Sequence, residues 1–153
     1  MSKKDFQFSI PEESPGFLLW QVTNLWQREI KLALTDFELT HAQFVLLASL
    51  HWHIKNKQSV TQAMLSKHTH VDQMTTSTVL RTLQSKGLIR RTESDKDTRA
   101  KAVEITTAGK RIIVPAINAV EEFDKRFFKT LEKQANKFNT SLLELIESNR
   151  SKE

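Results

Sequence analysis

Residues 87–107 read GLIRRTESDKDTRAKAVEITT. Apolar and β-branched residues alternate with charge on both sides of a polar centre. The stretch therefore predicts a strand over 88–92, a charged tip over 93–100 and a second strand over 101–106. The tip sets Lys96 and Arg99 against Glu93, Asp95 and Asp97, and holds no apolar residue larger than alanine. Asp97 and Arg99 stand as D-x-R. A hairpin with such a tip is built to stand away from the body and touch something charged. It follows directly on a helix rich in Thr and Ser, which makes duplex DNA the first candidate partner.

That helix, QMTTSTVLRTLQSK over 73–86, is expected to be capped by Asp72 and stopped by Gly87 in a left-handed C-cap. At about 100° per residue, Thr76, Val79, Leu80 and Leu83 share one side, the core side. Met74, Thr78, Arg81 and Ser85 share the other, flanked by Thr75, Ser77 and Thr82, with Gln73 in the first turn. This outer face carries no acid. Small hydroxyl side chains allow close approach to DNA, Gln suits adenine and Arg suits guanine in the major groove. A helix chosen only for a stable solvent face would carry Glu, Lys and Ala instead. Gln73, Met74, Thr75, Ser77, Thr78 and Arg81 are the candidate reading residues. Lys96, Asp97, Thr98 and Arg99 are the candidate contacts on the hairpin, Asp97 holding an arginine or closing the turn. A shorter helix, TQAMLSKHT over 61–69, is capped by Thr61. The pair reads as a helix-turn-helix, and the hairpin as its wing.

Outward from this unit the period stays helical. A first helix over 15–34 repeats Phe17, Leu18, Val22, Leu25 and Trp26 at three- and four-residue steps, widened by Trp20 and Ile30, so it is expected to bury two faces. A second starts at the capping box of Thr40 and Gln43, with Leu39 and Phe44 as hydrophobic staple, and runs to about 53. Residues 54–60 read as a polar connection. A fifth helix is expected over 107–133, kinked at Pro115, and a sixth over 140–149, with fraying beyond. Three glycines and three prolines leave little room for long loops or an all-β fold. The fold class is mainly α with a small β-hairpin.

The 153 residues suit one domain. Net charge is +5, and it is concentrated: residues 39–92 hold seven Lys and Arg and a single acid, Asp72, a net of +6, and all five histidines. That is the footprint of a phosphate-binding face, although a solvated basic surface has the same composition. No apolar run approaches the roughly 18 residues of a membrane span, and the first residues lack a signal-peptide pattern, which favours a cytoplasmic location and no membrane partner. Cysteine is absent, which excludes disulfides, thiolate metal sites and thiol-based sensing within the chain.

The run SKGLIRRTESDKDTRAKAVEITTAGK over 85–110 resembles the wing signature of the MarR family of bacterial transcription regulators. Lys86, Gly87, Leu88, Ile89 and Arg91 match its first part, Asp97, Arg99 and Ala100 its D-x-R-A, and Val103, Ile105, Thr106 and Gly109 its return strand and the T-x-x-G after it. The resemblance implies a winged helix-turn-helix over 39–106 within a single domain of 1–153, with N- and C-terminal dimerisation helices at 15–34 and 107–150. It implies a homodimer whose fourth helices enter the major groove of a pseudo-palindromic operator, with Arg99 as the minor-groove contact. The chain departs from the family at Arg81-Thr82, where Asp-Arg is frequent, and at Thr78, where arginine is frequent.

The terminal helices carry more apolar surface than one winged helix needs, at Phe17, Trp20, Phe123, Phe127, Phe128, Leu131 and Phe138, which a two-fold dimer would bury. Many relatives release DNA when a small amphipathic or aromatic molecule binds, and Trp20, Trp26 and Trp52, with His51 and His53, are the candidate pocket residues here. Tryptophans in helices are also ordinary core. His51-x-His53, His68-x-His70 and His41 raise a metal-responsive alternative, but with no Cys and one nearby carboxylate no metal or other cofactor is expected. A winged-helix module that binds protein is the other alternative. No phosphate-cradling G-K-[ST], G-x-G-x-x-G, H-E-x-x-H or nucleophile elbow is present, so no enzyme is expected.

Overall fold

The computed structural model describes residues 5–92 and 102–150. The wing-tip residues Lys96, Asp97, Thr98 and Arg99 lie outside the described residues. Among the described residues, six α-helices and one two-stranded antiparallel sheet follow in the order α1 (Pro15–Ala33), α2 (His41–Lys55), α3 (Gln62–Thr69), α4 (Gln73–Ser85), β1 (Ile89–Arg91), β2 (Val103–Ile105), α5 (Thr107–Phe127) and α6 (Ala135–Ser148). The mainly helical fold with a β-hairpin is as expected.

Local chemistry sets each start. Ser14 caps α1 ahead of Pro15. Thr40 and Gln43 close a full capping box on α2. The side chains of Thr61, Asp72 and Thr106 accept from the backbone N–H three residues on, starting α3, α4 and α5. Each such bond satisfies a helix donor that would otherwise lack a partner. At the end of α4, Gly87 takes φ 74. The Leu88 N–H then donates to Leu83 O at 3.0 Å and the Gly87 N–H to Gln84 O at 2.9 Å, a Schellman closure with buried Leu83 and Leu88 at its apolar contact.

The hairpin pairs Ile89 with Ile105, Arg90 with Glu104 and Arg91 with Val103. One ladder step further, Thr92 N–H donates to Ala102 O at 3.0 Å. The wing has a third neighbour that periodicity does not reveal. Val103 N–H donates to Val60 O at 2.9 Å, and Thr61 bridges Ala102. The end of the connection expected over 54–60 thus lies against the returning strand, with Val60 buried.

One core joins every principal element except α6: Ile30 and Leu34 of the first helix region, Leu46, Leu47 and Leu50 of α2, Leu65 of α3, Leu80 and Leu83 of α4, Ile89, Val103 and Ile105 of the sheet, and Ile113, Ala116, Val120 and Phe123 of α5. The steps of three and four along α5 place one stripe inward. Pro115 sits on the exposed side, and the helix continues through it. Two boundaries differ from expectation. α5 ends at Phe127, a 3-10 segment Lys129–Gln134 follows, and α6 begins at Ala135. Thr140, the expected start, lies inside α6, and its hydroxyl donates to Asn136 O at 2.8 Å. The break packs Phe128 between Phe127, edge-on at 5.0 Å, and Phe138, tilted at 6.0 Å between ring centroids. Nor does α1 bury two faces within the single chain. Only Ile30 is fully buried in it, while Leu18, Leu19, Trp20, Val22 and Leu25 are exposed.

Candidate nucleic-acid interface and adjacent cleft

α4 buries Thr76, Leu80 and Leu83 completely. With that stripe inward, Gln73, Met74, Thr75, Thr78 and Arg81 are exposed, and Ser77 is half-buried. Six reading candidates therefore become five at the surface, with Ser77 at the edge. The helix is held by its neighbours. Thr76 Oγ1 and Ser66 Oγ both donate to Val71 O, at 3.2 and 2.6 Å, which fixes the turn between α3 and α4. The carboxyl of Asp72 is held below the usual carboxylate range, chiefly by the Thr75 hydroxyl and then by the Thr75 N–H.

The hydroxyls of this face are less free than their sequence pattern implies. Thr78 Oγ1 donates to Met74 O at 3.0 Å, Thr82 Oγ1 to Thr78 O at 3.3 Å and Ser85 Oγ to Arg81 O at 3.0 Å. The Thr75 hydroxyl is engaged by Asp72. The Thr78, Thr82 and Ser85 hydroxyls thus spend their proton on the helix itself. What Thr75 and Thr78 offer outward is a methyl group and an acceptor lone pair, which suits a thymine methyl or an exocyclic amine better than a phosphate. Gln73 and Arg81 make no side-chain hydrogen bond or ion pair among the described residues, so their polar groups remain available for base edges.

On β1, Arg91 serves the fold. Its Nε donates to Gln84 Oε1 at 2.8 Å, and a nitrogen of its guanidinium lies 3.5 Å from Oε1 of buried Gln62, so it ties the wing to α4 and α3. Arg90 faces Glu104 across the ladder at 3.9 Å, an exposed pair of small energetic weight.

An open cleft of about 810 Å³ lies between the end of α1, the start of α2 and the α3–α4 turn. Lys31 and Gln27 come from α1, Thr40, His41 and Val45 from α2 and the residue before it, Thr69 from the end of α3 and Val71 from the turn ahead of α4. The His41 ring meets Trp26 edge-on at 5.1 Å. Burial lowers the His41 pKa, and the nearby Asp124 carboxylate opposes this in part. A smaller depression of about 450 Å³ shares Val45 and Thr69 with the cleft and is walled by Phe44, Ser49, Trp52 and His68.

The three tryptophans are not brought together. Trp20 is 67% exposed on the outer face of α1. Trp26 is half-buried, packs on the core and donates its indole N–H to Asp124 Oδ1 at 2.8 Å. Neither lines the cleft or the depression; Trp52 alone lines the latter, its ring stacked on His68 at 5.6 Å and 22°. Within one chain the three candidate pocket tryptophans are thus separated: Trp20 lies on the exposed side of α1 and Trp26 is tied to α5. Lys31 and His41, the charged and polar walls of the cleft, carry no motif that marks them in the sequence. The paired histidines partly converge. His53 lies 4.8 Å from His68 between ring centroids, His53 Nδ1 contacts Gln58 Oε1, and His68 Nδ1 meets Ser49 Oγ at 2.5 Å. Among the described residues no group of three or more His, Cys, Asp or Glu is placed to hold a metal ion.

Comparison with known proteins decides the affiliation. Residues 35–124 match the model described as ArnR1-like, winged-helix domain. The chain is 41% identical over 140 residues, 92% of its length and 95% of the relative's, to the uncharacterized HTH-type transcriptional regulator YdcH of Bacillus subtilis. Its fold matches the Staphylococcus aureus MepR–DNA complex with a TM-score of 0.76 over 90% of this chain and 97% of that one, at 24% identity. The chain belongs to the MarR family of winged-helix transcription regulators. As a MarR-family protein it is a transcription regulator, not an enzyme. It is also 28% identical over 80% of its length, and 86% of the relative's, to the HTH-type transcriptional repressor Rv2887 of Mycobacterium tuberculosis. The structure of that protein in complex with salicylic acid matches with a TM-score of 0.62, over 86% of this chain and 96% of that one. No helix among the described residues is long and apolar enough to cross a membrane.

Proposed function

We propose that this MarR-family protein is a homodimeric, sequence-specific repressor that reads a pseudo-palindromic operator with α4 and releases it when a small amphipathic or aromatic molecule occupies the cleft. The observation that carries the reading is the outer face of α4, acid-free and exposed at Gln73, Met74, Thr75, Thr78 and Arg81, in a chain segment netting +6. Gln73 and Arg81 supply base-edge donors, Thr75 and Thr78 supply methyl contacts, and Lys96, Thr98 and Arg99 of the wing supply backbone and minor-groove contacts, with Asp97 orienting Arg99.

Two reading helices require two copies. The exposed apolar residues of α1 and the exposed Leu142, Leu143, Leu145 and Ile146 of α6 support a dimer built from the terminal helices at 15–34 and 107–150. The cleft supports the ligand. Its apolar walls at Leu39, Val45 and Val71 fit a ring, and Lys31 and His41 are positioned at the same cleft for an anionic group.

The test is fluorescence anisotropy with labelled duplex from upstream of the protein's own gene, in excess unrelated DNA, with light scattering for mass. Expected are a dimer in solution, specific binding that falls steeply with salt, and release by millimolar salicylate as probe. Equal affinity for unrelated DNA would overturn the sequence-specific reading, and a monomeric complex would overturn the dimer.

A further inference from the structure

The last residue of the reading helix region is fastened to the wall of the cleft. Lys86, the C-cap of α4, directs its ammonium to two acceptors, Glu38 O in the turn ahead of α2 at 2.5 Å and Gln43 Oε1 in the first turn of α2 at 3.2 Å. Gln43 is buried, and the same Oε1 accepts the Thr40 N–H of the capping box at 3.2 Å. One side-chain oxygen therefore closes α2 and holds α4, so the two cannot move independently. Glu38 stands at φ 52, a left-handed conformation that a non-glycine residue keeps only where its surroundings fix it.

Glu38 and Thr40 also line the cleft, as does Val71, whose carbonyl receives Ser66 and Thr76 at the opposite end of α4. The wall of one cavity thus carries the attachments of both ends of the reading helix. A molecule that displaces this wall acts on the helix through packed, hydrogen-bonded groups without touching it.

We propose that Lys86 is a positioning residue: its bolt to Glu38 and Gln43 sets the angle of α4 and makes that angle answer to the state of the cleft. This rests on the reading of α4 as the DNA-reading helix. The rival role for a lysine here is direct contact with a DNA phosphate, and the two differ in what they do to salt dependence.

The experiment compares Lys86→Met, Lys86→Arg, Gln43→Leu and Gln43→Glu with wild type by anisotropy on the upstream duplex and on unrelated duplex across a KCl series. Hydrogen exchange of the amides over 76–86 is followed in the free protein. Lys86→Met is expected to weaken specific binding about 3- to 30-fold, with unrelated DNA and the salt slope unchanged, and Lys86→Arg to restore most of it. Gln43→Leu, buried and unable to reach DNA, is expected to give the same specific loss, with the double variant no worse than either single one. Exchange over 76–86 speeds up in both. Gln43→Glu keeps the capping box and adds a charge partner for Lys86, so it slows that exchange. Equal loss on both duplexes with a slope smaller by about one would make Lys86 a phosphate contact and overturn the proposal. Unchanged exchange in Lys86→Met and in Gln43→Glu would overturn it as well. If wild type fails to bind any duplex, the DNA reading fails first, and the exchange data on free protein still decide the bolt.

Discussion

The indole N–H of Trp26 donates to the Asp124 carboxylate at 2.8 Å, linking α1 to α5 across 98 positions of chain. Trp26 packs against the core and meets the His41 ring, so one side chain joins α1, α2 and α5. Removing the acceptor leaves a part-buried donor unpaired, which costs about 1–3 kcal/mol, whereas a neutral acceptor in the same place costs little. Asp124→Ala is therefore expected to lower the melting temperature clearly and Asp124→Asn only slightly. Asp124 also raises the His41 pKa against the effect of burial. In Asp124→Asn the His41 imidazole should titrate lower than in wild type by NMR, and an unmoved titration would remove the electrostatic link.

Gly109 faces a second close approach. A Cβ built there would lie 2.2 Å from Leu88 O and 2.8 Å from Ile105 Cγ1. Beside it Thr106 Oγ1 donates to Gly87 O at 2.7 Å. The T-x-x-G after the wing is thus the place where the start of α5 docks on the Gly87–Leu88 backbone ahead of β1, and backbone there cannot yield as a flexible side chain can. Gly109→Ala is expected to destabilise by about 1–3 kcal/mol through overpacking. Gly16→Ala, with nothing within 4 Å and an ordinary φ, serves as the control and should leave the melt unchanged or raise it slightly. Equal melts for the two variants would contradict the docking.

The pH dependence follows from three histidines. Burial lowers the pKa of His41, His51 and His68, with Lys55 and Lys110 adding to it at His51, and His53 and His70 at His68. A folded pKa below the unfolded imidazole value of about 6.5 means that folding favours the neutral ring. The stability these groups contribute is present above that value and is lost as pH falls through it towards the folded pKa values. Melting temperature should therefore decline from pH 7 to pH 5, and His68→Gln should flatten the decline. A melt that rises on acidification over that range would refute the assignment.

What could be read from residues alone was what short-range chemistry dictates. The caps at Thr40, Thr61 and Asp72 and the stop at Gly87 each depend on a side chain or a φ value within a few residues, and the buried stripe of α4 depends on helical period. Three things escaped because they depend on distant partners. The end of α5 is set by how Phe128 meets Phe138, and the two helices there share one continuous polar pattern. Val60 pairs with Val103, 43 positions away, through backbone atoms that carry no side-chain signature. The cleft is made where α1, α2 and the α3–α4 turn meet, so nothing local in the sequence marked Lys31 as part of it or set His41 beside Lys31.

On the proposed reading, the outer face of α4 separates specificity from grip. Arg81 is exposed without a side-chain partner among the described residues, whereas the hydroxyl of Thr78 is spent on Met74 O. If Arg81 reads a base edge, Arg81→Ala should cost about 1–3 kcal/mol on the specific duplex and relax preference at one base pair per half-site. Thr78→Val keeps the outward methyl and removes only a hydroxyl already used by the helix, so it should bind within about twofold of wild type. Arg99→Ala, on the wing, should instead weaken binding to all sequences alike and reduce the salt slope by about one. Binding measured for each variant against a library of single-base changes in the upstream duplex distinguishes these outcomes. A uniform loss for Arg81→Ala would move it from base reading to phosphate contact. A large loss for Thr78→Val would mean that the hydroxyl leaves Met74 O when DNA arrives.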